Sequence, residues 1–480
     1  MRYLKSGFRI YLIFFLIAFT LFIFAARDTF QDDRPNDTTS AYYLCYGRNI
    51  NRYSIATTKL LNIDLVGHEG KSLFGEGPVT FYRDHPPLLT WSVALALKVK
   101  DIFASSGSDL IAARMVNILA SIGILLLTMH VCRKAFGTSS AIIAGIAILS
   151  CPIFFSHGVV VNFEPLCCCL ILLGFMGTSP FLFLPALLAD WPAFFALPVY
   201  SYFELKEGNW KRAFIALLMG FFIGAGTLVT YGYLTGHPQF ALSFIKSTAS
   251  FETERYVFHT AELFQEARAI ARLMILMNFG FLNCLVVLIA CIHWLKNHST
   301  LNKAQIIGLS SVIVTVTNIV LFHSWAAGHS FWSYYLLPAV AIAYADLIQK
   351  KHLRVVLILF LGLNLLYSGN LFVKQLLRHS PRSSAEEKVP LLLDTTSEPI
   401  FTDNRHVYFG HGYVARWYFD RPLEVVASPY SSSVRNSCSE KPCIWISENN
   451  SPSWSRKDFD VWGTGRFGNV YITRFQAKPL

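Results

Sequence analysis

Phe81-Tyr82-Arg83-Asp84-His85-Pro86-Pro87-Leu88-Leu89 opens a moderately apolar segment that runs to about residue 103. Whether that segment crosses a membrane or lies along it sets the topology of everything downstream. The two prolines block a regular helix before them and suit the first turn of one after them. His85 is thereby held at a fixed point at the foot of a helix, where an ionisable imidazole can meet an anionic headgroup. If the segment crossed, the next apolar run, about 112–131, would deliver Arg133-Lys134 to the outer face. If it lies in the interface, those charges sit inside, as positive-inside topology requires. Residues 27–111 therefore read as one large external loop carrying interfacial helices.

The 480 residues are 53% hydrophobic and 15% charged, with a mean hydropathy of +0.42. A soluble domain carries roughly 25% charged residues. Apolar stretches of about 20 residues recur through the first 372 positions, so the chain reads as an all-α polytopic membrane protein. The net charge of +11 does not point to nucleic acid, because the basic residues cluster in short loops between spans. Anionic lipid headgroups are the matching counter-charge.

Arg2, Lys5 and Arg9 precede an apolar run from Ile10 to Ala26, which reads as an uncleaved first helix with a cytoplasmic N-terminus. Further spans are expected at about 112–131, 139–157, 163–178, 213–234, 271–295, 305–323, 332–349 and 355–372. The stretch 180–204, with Pro185, Pro192 and Pro198, reads as a short hairpin broken near Asp190-Trp191-Pro192. The total is about eleven crossings, which leaves the C-terminus outside. Residues 1–375 form the transmembrane domain. Residues 376–480 are polar, with short alternating runs such as Glu424-Val425-Val426 and Asn469-Val470-Tyr471-Ile472, and read as a small extramembrane mixed α/β domain. Of ten cysteines, Cys167, Cys168 and Cys169 look like small packing residues. Cys438 and Cys443 lie in the polar tail, where an oxidising compartment would allow a disulfide.

Several ionisable residues fall on the external face under this topology. Asp37 is either a helix N-cap or a catalytic carboxylate, with Asp28, Asp32 and Asp33 as near competitors. Glu164 lies between two apolar runs and precedes Pro165, so it caps a helix or acts in a site. Asp190 is a satisfied helix break or a cavity-lining acid. His329 stands in a run of aromatics, Phe331-Trp332-Ser333-Tyr334-Tyr335, that suits an interfacial anchor, a sugar face or a polyprenyl chain. His237, Glu252, Glu254, Arg255 and His259 read as a solvated amphipathic face. No Walker loop, His-Glu-x-x-His, Gly-x-Ser-x-Gly or Cys-x-x-Cys is present, which leaves nucleotide cofactors and structural zinc unsupported.

Read together and in order, these residues resemble a known family. The run from Asp37 through Tyr43 and Gly47-Arg48-Asn49 is followed by Arg83-Asp84-His85-Pro86-Pro87 and Ala112-Ala113-Arg114. Then come Asn162-Phe163-Glu164-Pro165, Asp190-Trp191-Pro192 and His329 through Tyr334 to Pro338. The set is similar to the polyprenyl-phosphate-sugar glycosyltransferases of the C-type (GT-C) fold. This superfamily holds the dolichyl-phosphate-mannose protein mannosyltransferases and the lipid A aminoarabinose transferases. The resemblance covers roughly residues 8–350. It implies a many-helix membrane fold with a site at the outer face. It also implies inverting transfer of a hexosyl or pentosyl group from a polyprenyl-phosphate donor to a protein, lipid A or envelope-glycan acceptor. Asp37 falls on the family's general-base position and Glu164 on its second acidic position. Asn36-Asp37 replaces the two neighbouring acids often found there, so Asp32 and Asp33 stay open as the base. His85 falls near the lipid phosphate, with Asp84 beside it. Arg83 and Arg114 are further cations for that phosphate, and Tyr43, Asp190, His329 and Tyr334 line the substrate. No cofactor or divalent metal is expected, and the implied setting is a bacterial inner membrane.

A departing polyprenyl phosphate carries its own negative charge, so the site needs cations more than a strong acid. The acceptor must lose a proton, so a carboxylate must stand within hydrogen-bond reach. Two other classes compete. A transporter would show inverted repeats and acids at mid-membrane, whereas these acids lie at span ends. A non-catalytic envelope assembly protein would use the tail domain instead.

Overall fold

The computed structural model describes residues 2–26, 37–63, 65–66, 71–72, 81–82, 85–234, 260–321, 330–377, 398–402, 423–426, 428–448, 457–467 and 470–478. The chain divides into two compact units. One comprises Met1–Ala26, Arg83–Leu89 and Arg114–Leu376, and the other Arg27–Tyr82, Thr90–Ala113 and Leu377–Leu480.

The first unit is a helical bundle. Among the described residues five helices are long and apolar enough to cross a membrane: Phe8–Ala25, Asp109–Phe136, Trp210–Leu234, Lys303–Leu321 and Arg354–Lys374. Two bent pairs raise the number to seven if each is one span. This is fewer than the eleven crossings expected from hydropathy. One reason is length: Phe163–Met176 has 14 residues and Leu337–Leu347 has 11, short of the roughly 20 that a bilayer core needs. The expected span at 139–157 is the pair Thr138–Leu149 and Pro152–Gly158, bent by 63° where Pro152 starts a new helix. The expected span at 271–295 is also broken: Gln265–Asn278 and Phe281–Lys296 meet at 109°. The segment 180–204 breaks at Asp190-Trp191, between helices Leu184–Ala189 and Pro192–Lys206.

Leu337–Leu347 is the centre of the bundle, and every one of its residues is buried. A helix that is apolar all round belongs inside, and Ala339, Ala341, Ala343 and Ala345 are small enough to let neighbours approach on each side. Its one acid, Asp346, accepts hydrogen bonds from Trp294 Nε1 at 2.7 Å and Gln305 Nε2 at 3.0 Å. Cys167 and Cys168 are buried packing residues of the same core. Helices at the rim turn large apolar side chains outward, such as Phe221, Phe222, Val355 and Leu366, as a lipid-facing surface requires.

The second unit contains the described part of the first loop. Helix Asp37–Arg52 lies so close to helix Leu88–Phe103 that a Cβ on Gly47 would stand 2.7 Å from Val93. Leu88–Phe103 has 16 residues and is not among the candidate spans. Arg48 makes two hydrogen bonds to Asp109, the closer of them an ion pair through Nη2, and Lys100 Nζ reaches the same carboxylate at 2.6 Å. Asp101 and Asp109 together hold the Lys100 ammonium above its ordinary range. Strand Asn62–Ile63 pairs antiparallel with Phe81–Tyr82.

The C-terminal segment forms a five-stranded sheet in the order Leu423–Val425, Ile400–Thr402, Cys443–Glu448, Val470–Ala477, Phe459–Phe467. The first three strands are parallel and the last two pairings antiparallel, with a bulge between Val461 and Gly463. Helix Ser432–Cys438 packs its Val434 against Phe401, Trp445, Phe459 and Phe475. Cys438 and Cys443 form a disulfide that ties this helix to the central strand.

The break at Gly280 gives a direct test of the bundle. Its φ of +82° suits glycine, and a Cβ there would meet Asn364 Oδ1 at 2.6 Å. Asn364 in turn donates to Asn283 Oδ1 at 2.7 Å. Gly280→Ala is expected to destabilise the bundle by about 1–3 kcal/mol, read as a lowered melting temperature in detergent.

Candidate functional site

Asp190 stands in the gap between two helices because Pro192 cannot continue the first and starts the second. Its backbone is extended, and its carboxylate accepts three hydrogen bonds. Oδ1 takes the Trp191 N–H at 2.8 Å and His85 Nδ1 at 2.8 Å, and Oδ2 takes the Tyr335 hydroxyl at 3.0 Å. One side chain therefore joins the His-Pro-Pro stretch, the Asp-Trp-Pro break and the aromatic run before Pro338.

His85 is held on every side. Its ring stacks on Phe163, with centroids 3.8 Å apart and planes 27° apart. Its carbonyl accepts the Tyr231 hydroxyl at 3.0 Å, from the far end of helix Trp210–Leu234. The bond to Asp190 makes Nδ1 the protonated ring nitrogen in the neutral form, so the imidazole acts on a ligand through Nε2. The His85 side chain is 18% exposed against 2% for Asp190, so an incoming anion meets the imidazole first and the carboxylate stays behind it.

Glu164 lies in the first turn of helix Phe163–Met176, next to the residue on which His85 stacks. Asn162 caps that helix, its side chain accepting the Phe163 N–H at 3.0 Å. Asn117 fixes the approach to the cap by donating to the carbonyls of Val160 and Asn162, both at 2.6 Å. Glu164 is buried, and neither carboxylate oxygen has a hydrogen-bond partner on another described residue. Burial is what most opposes a negative charge there, and Asp190 is near enough to oppose it further. Arg114 is buried one turn before Asn117 on helix Asp109–Phe136.

The remaining sequence candidates fall as follows. Tyr334 is fully buried and shares a 2.7 Å hydrogen bond with Ser121, while the adjacent Tyr335 is the one that reaches Asp190. Tyr43 is buried in the second unit, edge-on to Tyr46 at 6.0 Å. Asp37 is the first residue of its helix, with its side chain outside the described residues. Arg83, Asp84, His329, Asp32, Asp33 and the group His237, Glu252, Glu254, Arg255 and His259 also lie outside them. Tyr335, Phe163, Tyr231 and Asn117 were not singled out by the sequence. A Tyr-Tyr pair gives no sign of which hydroxyl turns inward, and an aromatic beside a carboxylate gives no sign of a stacking partner. Among the described residues no three His, Cys, Asp or Glu side chains gather as a metal ion would require.

No family profile matches the chain, and no curated protein matches it by sequence. Solved structures do match. ArnT from Cupriavidus metallidurans bound to undecaprenyl phosphate is similar over 96% of this chain and 97% of its own, at 14% identity and a TM-score of 0.58. Its apo form aligns over 98% of both chains with a TM-score of 0.57. The Archaeoglobus fulgidus oligosaccharyltransferase in complex with zinc and sulfate is similar over 92% of this chain and 68% of its own, at 14% identity and a TM-score of 0.55. The chain has the C-type glycosyltransferase fold.

Asn117 offers the test of how the acidic helix is set. Asn117→Leu removes the donor from two buried carbonyls and is expected to cost about 1–3 kcal/mol, seen as earlier thermal unfolding in detergent.

Proposed function

We propose that this protein is a multi-pass membrane glycosyltransferase. It moves a hexosyl or pentosyl group from a polyprenyl-phosphate donor to an envelope acceptor at the external membrane face, with inversion. The observation that carries this reading is His85. A partly exposed imidazole, backed by a buried carboxylate and stacked on Phe163, stands at the foot of an apolar helix. This is where the phosphate of a lipid donor would sit while its chain lay among the helices. The fold of a protein solved with undecaprenyl phosphate supports the same donor class.

In the reaction the acceptor oxygen or nitrogen attacks the anomeric carbon, and the bond from that carbon to the phosphate oxygen breaks. The electron pair leaves with polyprenyl phosphate, whose growing charge is met by His85 with Arg83 and Arg114. Asp37 takes the acceptor proton, and Glu164 orients the acceptor or the base. Tyr43, Asp84, His329 and Tyr334 complete the substrate-binding set. A single displacement needs no covalent intermediate and no nucleophile from the protein. The N-terminus lies in the cytoplasm and the C-terminal sheet outside the inner membrane. Its disulfide is compatible with an oxidising compartment. A protein, lipid A or another glycan would serve as acceptor.

Mass spectrometry of polyprenyl-phosphate sugars in membranes with and without the protein tests this. One glycolipid is expected to accumulate in its absence, and that lipid is the donor. An unchanged lipid profile, under conditions where the protein is abundant, favours a transporter or an assembly scaffold. Asp37→Asn and Glu164→Gln proteins, equally well folded, are expected to transfer sugar about 10²–10⁴-fold more slowly.

A further inference from the structure

We propose that Asp190, braced by Tyr335, is a positioning residue that holds the His85 imidazole by Nδ1 so that Nε2 meets the anionic group of the lipid phosphate. This rests on the transferase reading and assigns Asp190 a place behind His85 instead of against the substrate.

Four observations carry it. The Asp190 carboxylate is buried, and its hydrogen bonds go to the chain's own donors: the Trp191 amide, the His85 ring and the Tyr335 hydroxyl. The exposure of the pair is graded, with the imidazole outermost, so the carboxylate is shielded from a ligand by the ring it holds. The ring plane is fixed independently by Phe163, and the backbone by Tyr231 and the following prolines. The remaining freedom of the side chain is therefore rotation about its own bonds, and the Nδ1 contact removes it. Finally, Tyr335 donates to the oxygen of Asp190 that does not receive His85. This keeps the carboxylate from turning and leaves Oδ1 aligned with the ring. A ring held in one direction by its Nδ1–H presents its Nε2–H to an anion when protonated, and is a better anion ligand than a ring that must be ordered on binding.

The test is a double-mutant cycle read by binding of undecaprenyl phosphate to the full-length protein in nanodiscs. Asp190→Asn, near in shape to the wild type, is expected to weaken binding about tenfold. His85→Ala is expected to weaken it at least as much. On the His85→Ala background Asp190→Asn is expected to cost less than twofold further, because Asp190 acts only through the ring. Tyr335→Phe, which removes one hydroxyl, should show the same pattern with a smaller effect and serves where Asp190→Asn fails to fold. A purely structural role, or direct contact with the lipid, gives additive losses, and additivity overturns the proposal. Wild-type protein that binds no undecaprenyl phosphate overturns the transferase reading and the positioning role with it.

Discussion

A carboxylate placed in an apolar bundle is costly unless every lone pair it turns inward finds a donor. Asp190 meets that condition by drawing on three parts of the chain at once, and the geometry of the site follows from the demand. Its own helix start supplies the Trp191 amide, which would otherwise be an unpaired N–H at a helix end. The two other donors come from 105 residues upstream and 145 downstream, so the acid ties the His-Pro-Pro stretch to the aromatic run before helix Leu337–Leu347. Removing the Tyr335 hydroxyl leaves the buried Oδ2 without its donor, at a cost above the net worth of the bond, whereas Oδ1 keeps one donor if either of its two is lost. That asymmetry, more than the strength of any single bond, keeps the three segments together.

The long helices were legible because hydropathy and basic loops report on the bilayer directly. The break at Asp190-Trp191-Pro192 was legible because proline acts through covalent geometry, whatever surrounds it. The tail strands around Val425 and Val470 were legible from alternation between turn residues, and the polar setting of Cys438 and Cys443, given an oxidising compartment, allowed their pairing. The break at Phe279-Gly280 was not. Residues 271–295 stay apolar across it, and the cause lies in Asn283 and Asn364, whose side chains meet only in the folded bundle. The eleven expected crossings are not confirmed by helix length and composition among the described residues, and one helix shows why. Leu337–Leu347 is as apolar as a membrane span, yet what it faces is protein on all sides. Hydropathy registers the absence of water without saying whether lipid or another helix replaces it.

The site divides in the same way. His85, Glu164 and Asp190 stood out because ionisable residues beside apolar runs need a reason to be there. Their arrangement did not stand out. Nothing local to His85 says that Phe163 lies against its ring, and nothing local to Tyr335 separates it from Tyr334, which takes the quite different partner Ser121. Residue type announces chemistry, whereas partnership over a hundred residues is a property of packing.

The demands of the proposed reaction help to explain how a fold persists at 14% identity. A phosphate ester departs with its charge already delocalised, so its departure calls for a nearby cation and no acid of matched strength. The incoming group needs one carboxylate as base. Both demands can be met at helix ends, where a side chain borrows its position from the backbone and the interior need only fill space. A bundle of this kind can exchange most of its apolar residues for others of similar volume without moving its ends. It cannot as readily lose a buried acid such as Asp190, because the partners of that acid would then be left to rearrange together. Fold alone does not assign an activity. A partly exposed imidazole held in one direction by a buried carboxylate, at the edge of an apolar bundle, is the more specific sign, and the transferase reading of this chain stands on that ring.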